Sequence, residues 1–249
     1  RVRARVETEA QAAGRPEVSL ADVEATQARY LSGMHSEIKG YQLEACFGPS
    51  GCPHRAADST RLFERLETVL KGEDLLGFLR RRVAGDLKFH HEFRITVADC
   101  SNACSQPQIK DIGVIGACLP VVTDEPCSRC EACVGACAEN ALALDSKHES
   151  PAIDPARCLT CGDCVTVCPT GTLAAGRRGY RVQLGGRLGR HPSLARELPC
   201  ILDEEQVVAV VRACLHLYKE RSRVGERFSR LFQESDFDNL TRRFCATAV

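Results

Sequence analysis

Tryptophan is absent from these 249 residues, methionine occurs once, and aromatic residues make up only 5%. Large rings are therefore few in this chain. Net charge is lacking as well, because 33 Lys and Arg balance 33 Asp and Glu. A neutral chain has no general means of neutralising phosphates, so no nucleic-acid partner is expected. Long apolar runs are missing too. The longest, Ile112–Val122 and Val207–Val211, fall short of the roughly 20 residues of a membrane span, so no direct membrane insertion is expected. No apolar h-region opens the chain, and export by a cleaved signal is not indicated. With 44% apolar and 27% charged residues the composition is not that of a disordered chain. Its length suffices for one large domain or two modest ones.

Cysteine is what the chain has in excess: sixteen of them. Cys127, Cys130, Cys133 and Cys137 are spaced C-x2-C-x2-C-x3-C, and Cys158, Cys161, Cys164 and Cys168 repeat that spacing 31 residues later, ending in Pro169. Thiolates this close on a tight loop supply three ligands of a [4Fe-4S] cube at low entropic cost. Two zinc knuckles are the competing reading, but zinc sites seldom use this spacing twice. A third, looser set pairs Cys46 and Cys52 as C-x5-C with Cys100 and Cys104 as C-x3-C. Clusters of this type want a reducing, low-oxygen setting, so a cytoplasmic location is expected.

The rest of the chain reads as an α+β fold. Arg1–Thr8 alternates like a half-exposed strand, and Ser19 can cap a helix to about Ser32. Gly40–Cys46 is strand-like and delivers Cys46; Gly48, Pro49 and Gly51 force the loop before Cys52. Asp58 or Ser59 starts an amphipathic helix carrying Leu62, Phe63, Leu66, Val69 and Leu70, which Gly72 stops. Phe93, Ile95 and Val97 share one side of a strand, with Glu92, Arg94 and Thr96 opposite. Tyr180–Leu184 is a further strand, and Glu204–Glu220 a strong amphipathic helix. Before them, residues 120–176 hold eight cysteines, five prolines and few large apolar residues, too little for a core without metal. The expected domains are a short N-terminal α/β half at 1–39, a main domain at 40–119 and 177–236 interrupted by an insert at 120–176, and a tail at 237–249.

Two resemblances follow. The insert resembles the bacterial 2[4Fe-4S] ferredoxins over about fifty residues. In those proteins the fourth cysteine of each run serves the other cluster, which implies Cys127, Cys130, Cys133 and Cys168 on one cube and Cys158, Cys161, Cys164 and Cys137 on the second. Ala138 stands where many such runs carry proline. The segments Cys46-Phe-Gly-Pro-Ser-Gly-Cys52-Pro and Cys100-Ser-Asn-Ala-Cys104-Ser, with Gln106–Asp111 behind them, are similar to the sirohaem-dependent sulfite and nitrite reductases. Gly185-Gly-Arg-Leu-Gly-Arg-His-Pro192 and Gly225-Glu-Arg-Phe228 extend that likeness toward the C-terminus.

This second resemblance implies a third cube on Cys46, Cys52, Cys100 and Cys104, with Cys104 also bridging to a sirohaem iron. The eight sirohaem carboxylates would call on Arg55, Lys110, Arg187 and Arg190, and on Gly185, Gly186 and Gly189, which let backbone amides approach. Small-oxyanion chemistry on sulfite or nitrite, an electron-donor protein or redox partner subunit, and an oligomer or hetero-complex are implied as well. The family's usual Lys-x-Lys before the third cysteine reads Glu92-Phe-Arg94 here, and Leu43 replaces a further arginine. Arg94 is left as the oxyanion contact, with Lys88 and His91 as nearby basic groups. A buried Glu92 would repel an oxyanion. The alternative is therefore an electron-transfer subunit with three clusters and an absent or silent tetrapyrrole site. Cys118, Cys200 and Cys245 have no reading, and Cys214 fits a small buried hydrophobe.

Overall fold

The computed structural model describes residues 38–144 and 150–245. The strand expected at Arg1–Thr8, the helix expected at Ser19–Ser32 and nearly all of the half-domain 1–39 lie outside the described residues. From Lys39 onward the chain forms one compact unit.

Strand β1 (Tyr41–Ala45) leads through helices α1 (Thr60–Gly72) and α2 (Leu75–Arg82) to β2 (Phe93–Ala98) and then β3 (Ile112–Val122). A small excursion follows: α3 (Ala132–Ala136), β4 (Leu142–Leu144), β5 (Pro151–Ile153) and α4 (Asp163–Thr166). The chain returns as β6 (Leu173–Leu184) and β7 (Arg196–Glu197), and ends in α5 (Glu204–Arg221), α6 (Phe228–Leu231) and α7 (Glu234–Cys245). The main sheet has the order β1-β2-β3-β6-β7. Its first three strands are parallel, and β6 and β7 pair antiparallel.

Alternation in the strands decides what packs where. Phe93, Ile95 and Val97, Ile112 and Val114, and Tyr180, Val182 and Leu184 share one face and meet Leu62, Leu66 and Leu70 of α1 and Val207, Val211 and Leu215 of α5. Those helical residues recur every three or four positions and so form one stripe per helix. Asp203 caps α5 by accepting from Gln206 N (2.8 Å) while Gln206 Oε1 accepts from Asp203 N (3.0 Å). Cys214 of α5 is fully buried in this core.

The tail expected at 237–249 is not a tail up to Cys245. Phe237, Leu240 and Phe244 of α7 are buried in the main core, Asp236 is paired with Arg221 (2.7 Å), and Cys245 forms a disulfide with Cys200. Its apolar spacing of three and four residues was readable as an amphipathic stripe.

The excursion follows the 31-residue repeat of the sequence. Leu142 pairs with Ile153 and Leu144 with Pro151; 31 positions along, Leu173 pairs with Val122 and Ala175 with Pro120. The left-handed residues repeat too: Arg129 with Thr160, Glu131 with Gly162, Asn140 with Gly171. Two copies of one loop–helix–strand unit therefore face each other around Cys133, Leu142, Cys164 and Leu173. The bulge between Leu119 and Pro120 marks where the β3–β6 hairpin passes from the main sheet into this unit.

Candidate metal centre

Parallel pairing is what brings cysteines from distant positions together. Ala45 stands in register with Val97, so Cys46 and Cys100 emerge from the C-terminal ends of adjacent strands, where open α/β sheets bind their ligands. Cys46 N donates to the Val97 carbonyl at 2.9 Å. A 3-10 turn over Gly48–Ser50, closed by Gly51 at φ 109°, then swings Cys52 back. Burial pushes the Cys100 thiol up, and the nearby thiols of Cys52, Cys104 and Cys46 add to it, so all three lie within reach of its charge. Cys46 Sγ accepts from Gly48 N and Asp99 N, both at 3.3 Å, and Cys104 Sγ accepts from Asn102 Nδ2 at 3.0 Å. Cys100 is buried and Cys104 is exposed.

Asp99 is a positioning residue that sequence reasoning missed; its only signal was adjacency to Cys100. Its carboxylate accepts from Ser59 Oγ, and its carbonyl accepts from Ala56 N (2.9 Å) and Ala57 N (3.2 Å). Ser59 does stand at the start of α1, but its hydroxyl serves Asp99 instead of capping the helix. A Cβ on Gly48 would lie 2.5 Å from Asp99 Oδ2, so the first cysteine loop is seated directly on this carboxylate.

The ferredoxin-like cysteines sort into two sets. Cys127, Cys130, Cys133 and Cys168 line one small cavity. Cys158, Cys161, Cys164 and Cys137 line another of about 390 Å³, which also takes in Cys100 and His54. Backbone amides point at the sulfurs: Arg129 N to Cys127 (3.4 Å), Ala141 N to Cys137 (3.3 Å) and Leu173 N to Cys168 (3.4 Å). Such N–H···S contacts stabilise thiolate and tune clusters. Burial pushes Cys133 and Cys161 up, and Cys164 to about 12. A bound metal would displace the proton from such thiols. Among the described residues no three His, Cys, Asp or Glu stand at the spacing of a single metal ion. A cube, with four irons between its cysteines, calls for a wider ring than zinc with its ~2.3 Å bonds to sulfur. The donor type, the amide contacts and the grouping fit [4Fe-4S] clusters.

The second quartet is also the part of the insert that touches the main sheet. Cys118 N donates to Thr160 O (2.7 Å), Ser101 Oγ to Leu159 O (2.8 Å), and Arg181 Nη1 to the same Leu159 carbonyl (2.9 Å). Cys118 is buried against Ala56 and Cys100, and a Cβ on Gly162 would lie 2.8 Å from its own Cβ. That contact gives Cys118 the role it lacked in the sequence, as a packing atom between the second quartet and Cys100.

The expected anion-binding cations are mostly committed elsewhere. Arg55 pairs with Asp58 (3.1 Å), Lys110 with Glu44, and Arg187 donates to the His191 (2.9 Å) and Ser229 (3.1 Å) carbonyls. Arg190 is exposed. Gly185 and Gly186 serve packing: a side chain would meet Phe232 at the first (3.1 Å) and the Gln108 and Lys110 carbonyls at the second (2.5 and 2.7 Å). Gly189 has open space around it. Lys88 and His91 share a basin of about 520 Å³ with Arg82, Asp86 and His90, and Arg94 is not on its wall. His91 Nδ1 accepts from Lys88 N (3.0 Å), and burial, then His90 and Lys88, lower its pKa.

Glu92 does not face an oxyanion. Its carboxylate accepts from Lys39 N (2.9 Å), Gly40 N (3.0 Å) and Gln42 Nε2 (2.9 Å), so it clamps the start of β1. Arg94, half-buried, donates through Nη2 to Phe89 O (3.3 Å) and through its backbone to Asp111 Oδ2 (2.9 Å). Arg94 Nε, Asp111 Oδ1, Arg227 Nε and Nη2, and Ser229 Oγ are all buried without a protein partner. Arg227, within the Gly225–Phe228 motif, is thus a second cation beside Arg94 and Asp111.

Burial pushes the Asp111 carboxyl up to about 6, against the pull of Arg227 and Arg94. A raised folded-state pKa favours folding below the unfolded value and loses that advantage as pH rises through 6. From pH 5 to 7 this carboxyl should cost about 1 kcal/mol of stability. Denaturant titrations should show that slope in the wild type and not in Asp111→Asn; equal slopes would mean Asp111 titrates as in the unfolded chain.

Known proteins agree with this architecture. The dissimilatory-type sulfite reductase subunit beta of Archaeoglobus fulgidus is 34% identical over 112 residues, 43% of this chain and 30% of that protein. The coenzyme F420-dependent sulfite reductase of Methanocaldococcus jannaschii is 30% identical over 146 residues, 59% of this chain and 21% of that protein. The chain thus spans less than a third of either relative. Among solved structures, dissimilatory sulfite reductase I superposes with a TM-score of 0.53 at 18% identity, over 83% of this chain and 52% of that one, which shows a shared mixed α/β fold. Residues 40–246 match the nitrite and sulphite reductase 4Fe-4S domain, and the chain belongs to that family.

Proposed function

We propose that this chain is the cluster-bearing part of a sulfite reductase, taking electrons from a donor protein and delivering them for the reduction of sulfite to sulfide. One observation carries the reading: Cys100 stands among Cys46, Cys52 and Cys104, and also lines the cavity of Cys137, Cys158, Cys161 and Cys164. The order along the chain of sites is then Cys127–Cys168 set, Cys158–Cys137 set, Cys46–Cys104 set. When bound, the cubes would carry single electrons and a sirohaem would present the iron at which sulfite is reduced. Cys104, the exposed thiolate of its set, is the one open to a macrocycle, and Asn102 orients it. Arg94 and Arg227 supply buried positive charge at the start of β2 for an oxyanion.

A second reading, an electron-transfer subunit with no working tetrapyrrole site, is favoured by the engagement of Arg55, Lys110 and Arg187 in internal contacts. An anaerobic absorption spectrum with iron and zinc analysis separates the two. About thirteen irons with strong tetrapyrrole bands support the reductase, and about twelve without them support the electron carrier. Stoichiometric zinc contradicts both. With the bands present, Arg94→Ala should abolish sulfite turnover and leave the spectrum intact; unchanged turnover removes Arg94 from the reaction.

A further inference from the structure

Two of the cysteines with no cluster assignment, Cys200 and Cys245, are joined as a disulfide that ties the loop before α5 to the end of α7. A disulfide is unusual company for twelve cysteines that must stay thiolate to hold metal, since conditions that preserve the one oxidise the others. Its surroundings are specific. Cys200 lines a cavity of about 350 Å³ with Cys158, Thr160, Arg177 and Arg181. Cys158 lines this cavity and also the one shared by Cys137, Cys161 and Cys164. Cys158 therefore borders both the cavity of the second quartet and the cavity that Cys200 borders. Arg177 and Arg181 place positive charge on the same cavity; Arg181 is engaged by Glu197 (2.7 Å).

We propose that Cys200–Cys245 is a redox-active disulfide that takes its electrons from the iron–sulfur site at Cys158, an inference that rests on the cluster reading above. The reaction is the cleavage of one S–S bond by two electrons and two protons to give two thiols. A [4Fe-4S] site delivers one electron at a time, so two successive reductions of the cluster by the donor protein complete each cleavage. The first electron gives a disulfide radical anion that opens to a thiolate and a thiyl radical, the second electron reduces that radical to the second thiolate, and two protons from solvent complete the thiols, with Arg177 on the cavity favouring the anionic stage. Reduction frees the end of α7 from the loop at Cys200, so the state of the electron chain is written into the attachment of that helix.

The test is an anaerobic reductive titration of the full chain with photoreduced deazaflavin, read by visible bleaching and by alkylation with mass spectrometry. Cys200 and Cys245 should be unlabelled before reduction and both labelled once the cluster absorption has bleached. The wild type should consume two more electrons per chain than the double variant Cys200→Ser, Cys245→Ser. In Cys158→Ser, which removes the cysteine bordering both cavities, the pair should remain unlabelled at the same potential. Bleaching without labelling, equal electron counts, labelling undiminished in Cys158→Ser, or free thiols before reduction would each overturn the proposal. Absence of any bleaching would instead remove the cluster reading on which it rests.

Discussion

Cys100→Ser is expected to remove one cluster and leave two. Iron should fall by about four per chain, since a cube that loses the most buried of its four ligands has no mobile thiol to replace it. Cys118 is the nearest spare thiol; it packs beside Cys100, but as a β3 residue held under Gly162 it is not free to move. On the proposed reading, in which Cys104 would be shared with a tetrapyrrole, any tetrapyrrole absorption should go with the cluster. The eight cysteines of the insert do not depend on Cys100, so their iron should remain. Loss of all iron would mean that the third set and the insert fold as one metal unit, and no loss would place the third cluster elsewhere.

Gly162→Glu should push the second quartet away from the Cys46–Cys104 set without emptying either. Glu131 occupies the matching place in the first half of the repeat, at φ 57° against 83° for Gly162, so the backbone conformation alone does not demand glycine. What demands it is Cys118, whose Cβ and Sγ would lie 2.8 and 2.9 Å from a new Cβ. A side chain there must push the Cys158–Cys164 loop away from Cys118, breaking the Cys118 N to Thr160 O and Ser101 Oγ to Leu159 O bonds. Electron tunnelling is steep in distance, so donor-driven reduction of the Cys46–Cys104 centre should slow by orders of magnitude while the iron content stays whole. Rapid-freeze EPR with a reduced donor would follow this. An unchanged rate would show that electrons enter the third centre by another route.

Much of this was legible because metal ligation and repetition leave marks in one dimension. The 31-residue offset between quartets predicts a two-fold unit, and the same offset reappears in the Leu142–Ile153 and Val122–Leu173 pairs and in three left-handed positions of each half. The grouping of Cys168 with Cys127 is what the ferredoxin resemblance implies, and the two line one cavity. Alternation in Phe93–Val97 gave the sheet face correctly. Side-chain direction was not legible. Glu92 reads as an obstacle to an oxyanion until its three donors on the β1 segment are seen, and Arg55, Lys110 and Arg187 read as free cations until their partners appear. Those partners lie far away in sequence or arise from loop geometry that no periodicity encodes. The Cys200–Cys245 pair is hidden for the same reason: 45 positions separate two residues that meet only because α7 folds back on the core.

Among the described residues no helix is long and apolar enough to cross a membrane. The chain matches less than a third of each of the two sulfite reductase relatives described above.

The most direct test is a diffraction map of the anaerobically purified protein collected at the iron absorption edge. Three compact anomalous peaks are expected, one enclosed by Cys46, Cys52, Cys100 and Cys104, and one in each ring that mixes the two quartets. A map with the Cys46 and Cys100 sulfurs bonded to each other, or with single-atom zinc peaks in their place, would contradict the account.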